Sequence, residues 1–123
     1  PDVSEANYQI VRDALRGVAT ENRDVSNDFS RYDFTFAAKT GTAEVAGKQD
    51  FAWFACYAPY EDPRFALALC IEEGGSGGAV ASPVAARVMK AAIDYSNGVT
   101  IDYEKISVGT PGKTQQAGGE SNE

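Results

Sequence analysis

Four consecutive residues, Lys39-Thr40-Gly41-Thr42, carry the densest chemical potential in the sequence. The lysine offers a mobile ammonium with three donors, and each threonine adds a hydroxyl that can donate and accept. They end a run of strand formers, Phe34-Thr35-Phe36-Ala37-Ala38. Thr40 and Thr42, two residues apart, therefore share one side of a strand. Gly41 removes a side chain where the backbone of a ligand could lie against that strand. Together these groups suit the capture of a peptide carboxylate. Strict alternation sends Lys39 to the opposite face from the threonines, and a twisted edge strand beside a cleft could present both. Taken alone, the same residues also describe a surface hairpin that carries a lysine.

Other chemistries are excluded by composition. The 123 residues contain no histidine and only two cysteines, Cys56 and Cys70. That removes a Cys/His metal site, a Ser-His-Asp triad and a Cys-His dyad. With 18 acidic and 11 basic residues the net charge is −7, the wrong sign for neutralising phosphates, so no nucleic-acid partner is expected. Both cysteines lie in apolar runs and read as small buried hydrophobes. If a hairpin closes near Glu61-Asp62, Cys56 stands opposite Leu67, three residues from Cys70, which argues against a disulfide. Residues 41–48 imitate a phosphate loop, but the glycine spacing is one residue too long and Gln49 replaces the required hydroxyl. Glu72-Glu73 reads as a pair of solvated charges with at most weak affinity for a cation. No metal and no cofactor are expected.

The elements that must position Lys39 and its neighbours follow from periodicity. Ser4 can cap a helix with an apolar stripe of Tyr8, Val11, Leu15 and Val18. Residues 20–33 are polar and without period, which predicts a loop. Three strands are expected at 33–43, 50–58 and 64–72, and the last two have no polar face, so cover on both sides is expected. Pro59, Asp62 and Pro63 punctuate the hairpin between them. The glycine-rich stretch 73–78 reads as a flexible connection to a last helix, capped by Ser82 with Pro83 at its first position. Val84, Val88, Ala91 and Tyr95 form the expected stripe of that helix, and Asn97-Gly98 stops it. No apolar run is long enough to span a membrane, and a chain opening on Pro1-Asp2 reads as a fragment. Residues 1–103 are expected to form one folded part, and 104–123 a disordered tail.

This succession resembles the C-terminal part of the transpeptidase domain of penicillin-binding proteins, most of all the class B enzymes. The residues that carry the resemblance are Lys39-Thr40-Gly41-Thr42-Ala43-Glu44, Trp53-Phe54-Ala55-Cys56-Tyr57-Ala58-Pro59 and the stretch 75–88. It implies an α/β fold of the α+β type. A three-stranded antiparallel sheet would be flanked by helices, as one piece of the β-lactamase/transpeptidase-like fold. It also implies serine acyl transfer on the D-Ala-D-Ala end of a peptidoglycan stem peptide, with β-lactams as mimics of that dipeptide. By the same resemblance, Lys39 supplies positive charge beside the substrate carboxylate and Thr40 and Thr42 bind it. Gly41 lets the substrate lie along the strand, and the Thr42 N–H is one of two oxyanion donors. The parent protein would sit outside the cytoplasm on a membrane anchor.

The family's nucleophile motif, Ser-x-x-Lys, is absent: the residues three before the five lysines are Phe36, Val45, Arg87, Asp102 and Thr110. Ser-x-Asn is absent too, and Tyr95-Ser96-Asn97 comes after Lys39, in the wrong order, at a helix end. The chain is thus expected to be inactive by itself. The alternatives are a fragment of a class D-type β-lactamase or β-lactam sensor, or a non-catalytic binding module on the same scaffold. In the family's five-stranded sheet the strand matching 64–72 pairs on its far side with a strand from the N-terminal portion. Self-association through that exposed strand is therefore expected here.

Overall fold

The structure, a computed structural model, describes residues 3–101, so the expected tail at 104–123 lies outside the described residues. Helix α1 (Glu5–Glu21) is capped by Ser4, whose hydroxyl accepts from the Asn7 N–H. Of the expected stripe, Tyr8 and Val11 stand more than half exposed, and burial begins only at Leu15 and Val18 and is complete at Ala19. Asn22 ends α1 and at once caps α2 (Arg23–Phe29), its side-chain oxygen accepting from the Val25 N–H. The expected loop at 20–33 thus contains a two-turn helix. Its only apolar residues, Val25 and Phe29, are four apart on one face and both buried. Two positions are too few to register as a period.

The sheet consists of β1 (Ala37–Ala43), β2 (Phe51–Ala58) and β3 (Phe65–Ile71), all antiparallel, in the order β1-β2-β3. The first strand starts later than expected because Thr35 is engaged elsewhere. Its carbonyl and its hydroxyl both accept from the Tyr60 N–H, at 3.1 Å each. Cys56 faces Leu67 as expected, and Cys70 faces Trp53 on the opposite side of the sheet. Both thiols are free.

One face of the sheet carries the core. Ala52, Phe54, Cys56 and Ala58 alternate inward along β2 and are buried against α2 and the last helix. Phe29 stacks on Phe36 with centroids 3.8 Å apart and on Phe54 at 6.0 Å, joining α2 to both strands. Among the described residues the other face is covered by α1, over β1 and at Tyr57 of β2. Trp53 is 45% exposed, and Ala55, Ala66 and Ala68 are exposed among the described residues. The expectation of cover on both sides therefore holds for one side. Alanines expose little apolar area, so the cost of the open side is small.

Beyond β3 the glycine-rich stretch is packed, not loose. The Gly75 N–H bonds Asp50 O at 2.8 Å, the Gly74 N–H bonds Ile71 O at 3.2 Å, and Gly77 is buried. A π-helical turn, Gly77–Ala81, then leads into α3 (Ser82–Ser96). Ser76 caps this run by accepting from the Ala79 N–H, so the expected cap, Ser82, lies inside it, fully buried. The buried face of α3 is Ser82, Ala85, Ala86 and Met89, whereas Val88 and Tyr95 of the expected stripe are 46% and 77% exposed. Small residues let the helix approach the sheet closely, which turns the valines outward. The tip between β1 and β2 is open: Gly47 has φ +76° and nothing near it.

Burial pushes the Cys56 thiol from its ordinary 9.0 up to about 12. The unfolded chain ionises this thiol above its ordinary value while the folded chain holds the proton, so its stabilising share is lost between those two pH values. Urea midpoints at about pH 8 and about pH 11 should fall further for the native chain than for Cys56→Ala. Equal falls would rule out the burial of this thiol.

Candidate functional site

β1 is an edge strand, and Lys39-Thr40-Gly41-Thr42 lies in its middle. The register pairs Lys39 with Ala55, Thr40 with Phe54, Gly41 with Trp53 and Thr42 with Ala52. Thr40 and Thr42 share the face of Phe54, and Lys39 starts from the other, as alternation requires. The edge brings them together. The Lys39 Nζ donates to Thr40 O at 2.5 Å, so the ammonium folds onto the strand's own backbone. Lys39 and Thr42 are exposed, and Thr40 and Gly41 are half-buried. A side chain on Gly41 would meet Trp53 Cβ at 3.2 Å, so the glycine keeps the outer face of the strand low at this point.

The start of β1 is tied to α1 and to the β2–β3 turn. Arg16 Nη1 donates to Phe36 O at 2.6 Å, and Arg12 Nη2 donates to Tyr60 O at 2.9 Å. Both guanidinium groups lie over the Tyr60 ring, 5.2 and 5.4 Å from its centre, an arrangement that adds cation–π attraction. The Tyr60 hydroxyl donates to Asp13 Oδ1 at 3.0 Å, which holds its proton and raises its pKa. Thr35 donates its hydroxyl to the Glu61 carboxylate and holds that group below its usual range. The neighbouring Tyr57 hydroxyl raises the pKa of the Arg12 guanidinium. These contacts escaped the sequence reading because their partners are about 20 to 48 residues apart.

The middle of β1 is held by Gly77. A methyl group there would stand inside the envelope of the Gly41 and Trp53 carbonyl oxygens and 3.0 Å from Gly41 N. The π-helical turn therefore rests on bare strand backbone. The only sequence signal for this residue was its membership of a glycine run. Among the described residues no three His, Cys, Asp or Glu side chains converge as a metal site, and Glu72 and Glu73 point to solvent at the end of β3.

The sequence profile of the penicillin-binding protein transpeptidase domain matches residues 1–90. The chain belongs to that family. It is 31% identical over 108 residues to the peptidoglycan D,D-transpeptidase MrdA of Haemophilus influenzae, covering 72% of this chain and 17% of that protein. Its fold superposes on Pseudomonas aeruginosa PBP2, solved in complex with WCK 5153, with a TM-score of 0.68 and 31% identity. That match covers 84% of this chain and 24% of the other. The imipenem acyl-enzyme of penicillin-binding protein A from M. tuberculosis superposes with a TM-score of 0.63 at 27% identity, over 74% of this chain and 20% of that one. The penicillin-binding protein fold of this chain is thus the β-lactamase/transpeptidase-like fold, and the chain spans less than a quarter of the relatives' length.

Lys39 makes one exposed hydrogen bond and packs on nothing that the core needs. In this penicillin-binding protein segment, Lys39→Ala is expected to leave Tm within about 3 °C of the native value by thermal unfolding. A larger drop would make Lys39 a structural residue.

Proposed function

We propose that this chain supplies the substrate-binding edge of a serine-type peptidoglycan D,D-transpeptidase. The observation that supports this reading is the position of Lys39-Thr40-Gly41-Thr42 on a strand edge that is unpaired among the described residues, within the span that matches the family. In this reading a stem peptide ending in D-Ala-D-Ala lies antiparallel to β1. Its terminal carboxylate accepts from the Thr40 and Thr42 hydroxyls beside the Lys39 ammonium. The hydroxyl of a serine elsewhere in the whole protein attacks the penultimate carbonyl. The Thr42 N–H is one of the two donors that hold the resulting oxyanion. Collapse breaks the peptide bond, the terminal D-Ala leaves with the serine's proton on its amine, and an acyl-serine remains. An amine of a neighbouring stem then attacks the ester, forms the cross-link and returns the proton to the serine.

A β-lactam enters the same path through its ring amide, whose nitrogen stays attached after cleavage and cannot leave. The relatives' names and the β-lactam acyl-enzyme among the similar structures favour transpeptidation over lactam hydrolysis. The work is assigned to the outer side of the cytoplasmic membrane, where peptidoglycan lies. No helix of the described residues is long and apolar enough to cross a membrane. The isolated chain, without Ser-x-x-Lys, is read as inactive.

In the whole protein, Lys39→Ala should lower the rate of acylation by labelled penicillin about a hundredfold or more. Acylation within about twofold of the native rate would remove Lys39 from the site. Rapid release of hydrolysed penicillin by the native protein would instead favour a β-lactamase.

The edge of β3, unpaired among the described residues, supports a second proposal, for the isolated chain. Phe65–Ile71 contains no charge, proline or glycine, and its outer face is open at Ala66 and Ala68. Such an edge is a template for another chain. The isolated chain is expected to self-associate in light scattering, and Ala68→Lys to weaken the association. A monomer at high concentration would show the edge to be covered.

A further inference from the structure

Gly77 lies more than thirty residues from Thr42 in sequence. Its Cα rests on the backbone where Gly41 faces Trp53. The Gly41 oxygen, the Gly41 nitrogen and the Trp53 oxygen all crowd the one point where a Gly77 side chain would begin. For these three atoms to share that point, Gly41 must turn its N–H and C=O toward β2. In an antiparallel ladder the next residue turns its groups the other way. The Thr42 N–H is therefore directed to the open edge.

The Gly41 carbonyl and the Thr42 N–H belong to one planar peptide group, and that group is trans, since the one cis bond among the described residues is at Ala58–Pro59. Fixing the oxygen on one side of the plane fixes the direction of the hydrogen on the other. We infer that Gly77 is a positioning residue for the Thr42 N–H: by seating against the Gly41 carbonyl it sets the tilt of the Gly41–Thr42 peptide plane and so aims the oxyanion donor. Any larger residue at 77 pushes that oxygen away or lifts the π-helical turn off the strand. Either movement rotates the donor, and donors of this kind work only when aimed beforehand at the place where charge develops. This inference rests on the proposal that Thr42 N–H is an oxyanion donor. Gly78 provides the internal contrast, since a side chain there meets only Thr40 Cγ2, at 3.9 Å.

The experiment uses the whole protein that carries this segment and compares the native form with Gly77→Ala, Gly78→Ala and Ser76→Ala. Stopped-flow acylation by penicillin separates the affinity of the non-covalent complex from the rate of acylation. Infrared spectra of the acyl-enzyme read the carbonyl stretch, which rises in frequency when its hydrogen bonds weaken. Gly77→Ala should acylate about tenfold or more slowly, at unchanged non-covalent affinity and with the carbonyl band shifted up. Gly78→Ala should match the native protein in all three readouts. Ser76→Ala, which removes only the cap of the turn that seats Gly77, should give a smaller loss of the same kind. It decides the matter if Gly77→Ala does not fold. Native acylation rates in Gly77→Ala, or an unmoved carbonyl band in whichever of Gly77→Ala and Ser76→Ala folds, would overturn the inference. Failure of the native protein to be acylated at all would overturn the functional reading beneath it, and is seen before any variant is made.

Discussion

The Phe29 ring lies almost flat on Phe36 and within reach of Phe54, and the course of β1 depends on this stack. Here α2, the approach to β1 and the middle of β2 meet, with Phe34 closing the stack edge-on. Aromatic pairs of this kind contribute roughly 0.5–1.5 kcal/mol each beyond the area they bury. Residues 34–36 make no ladder with β2, so the stack, together with the bonds of Thr35 to Tyr60 and of Phe36 O to Arg16, directs them toward the sheet. Phe36 is the last residue before the strand. Its ring is buried in the stack, and its carbonyl accepts from Arg16. Face and edge of the incoming chain are thus fixed before the first strand residue.

From that anchor the strand divides its duties by direction. Its inner side chains join the core, its β2-facing backbone closes the sheet, and its outer backbone is engaged among the described residues by its own Lys39, at Thr40 O. An edge strand is ordinarily a hazard, since its free N–H and C=O groups invite a stray partner. On the proposed reading a substrate peptide of extended shape is such a partner, chosen instead of stray, since recognition by added-strand pairing uses the same groups. Pre-organisation is then a question of how firmly the strand is backed. The Arg12–Tyr60–Arg16 cluster backs its start and the π-helical turn its middle.

Much of this could be read from the residues alone. The three strands follow from runs of alternating apolar residues, and the opposition of Cys56 and Leu67 follows from the turn between them. The family emerged from Lys39-Thr40-Gly41-Thr42 and the succession of elements around it. What the sequence hid has physical causes. Helix α2 escaped because two buried residues make no visible period. The α3 stripe was read one face away, since periodicity favours the larger valines while close approach to the sheet selects Ala85 and Ala86. The glycine stretch resembled a linker because glycine serves both looseness and contact, and only the neighbouring carbonyls tell the two apart. The capping role expected of Ser82 belongs to Ser76, six residues earlier, at the start of the wider π turn.

The tip joining β1 to β2 completes the picture from the far end of the site. Lys48 N–H returns to Val45 O at 3.1 Å, Gly47 adopts a left-handed conformation, and a side chain there would meet nothing within 4 Å among the described residues. Extra residues at such a place add little loop-closure cost and disturb no packed neighbour. The hairpin tip is accordingly where length can vary from one protein to the next without moving Thr42. It is also where a reporter dye or an affinity handle can be grafted close to the binding edge while the strand itself is left alone.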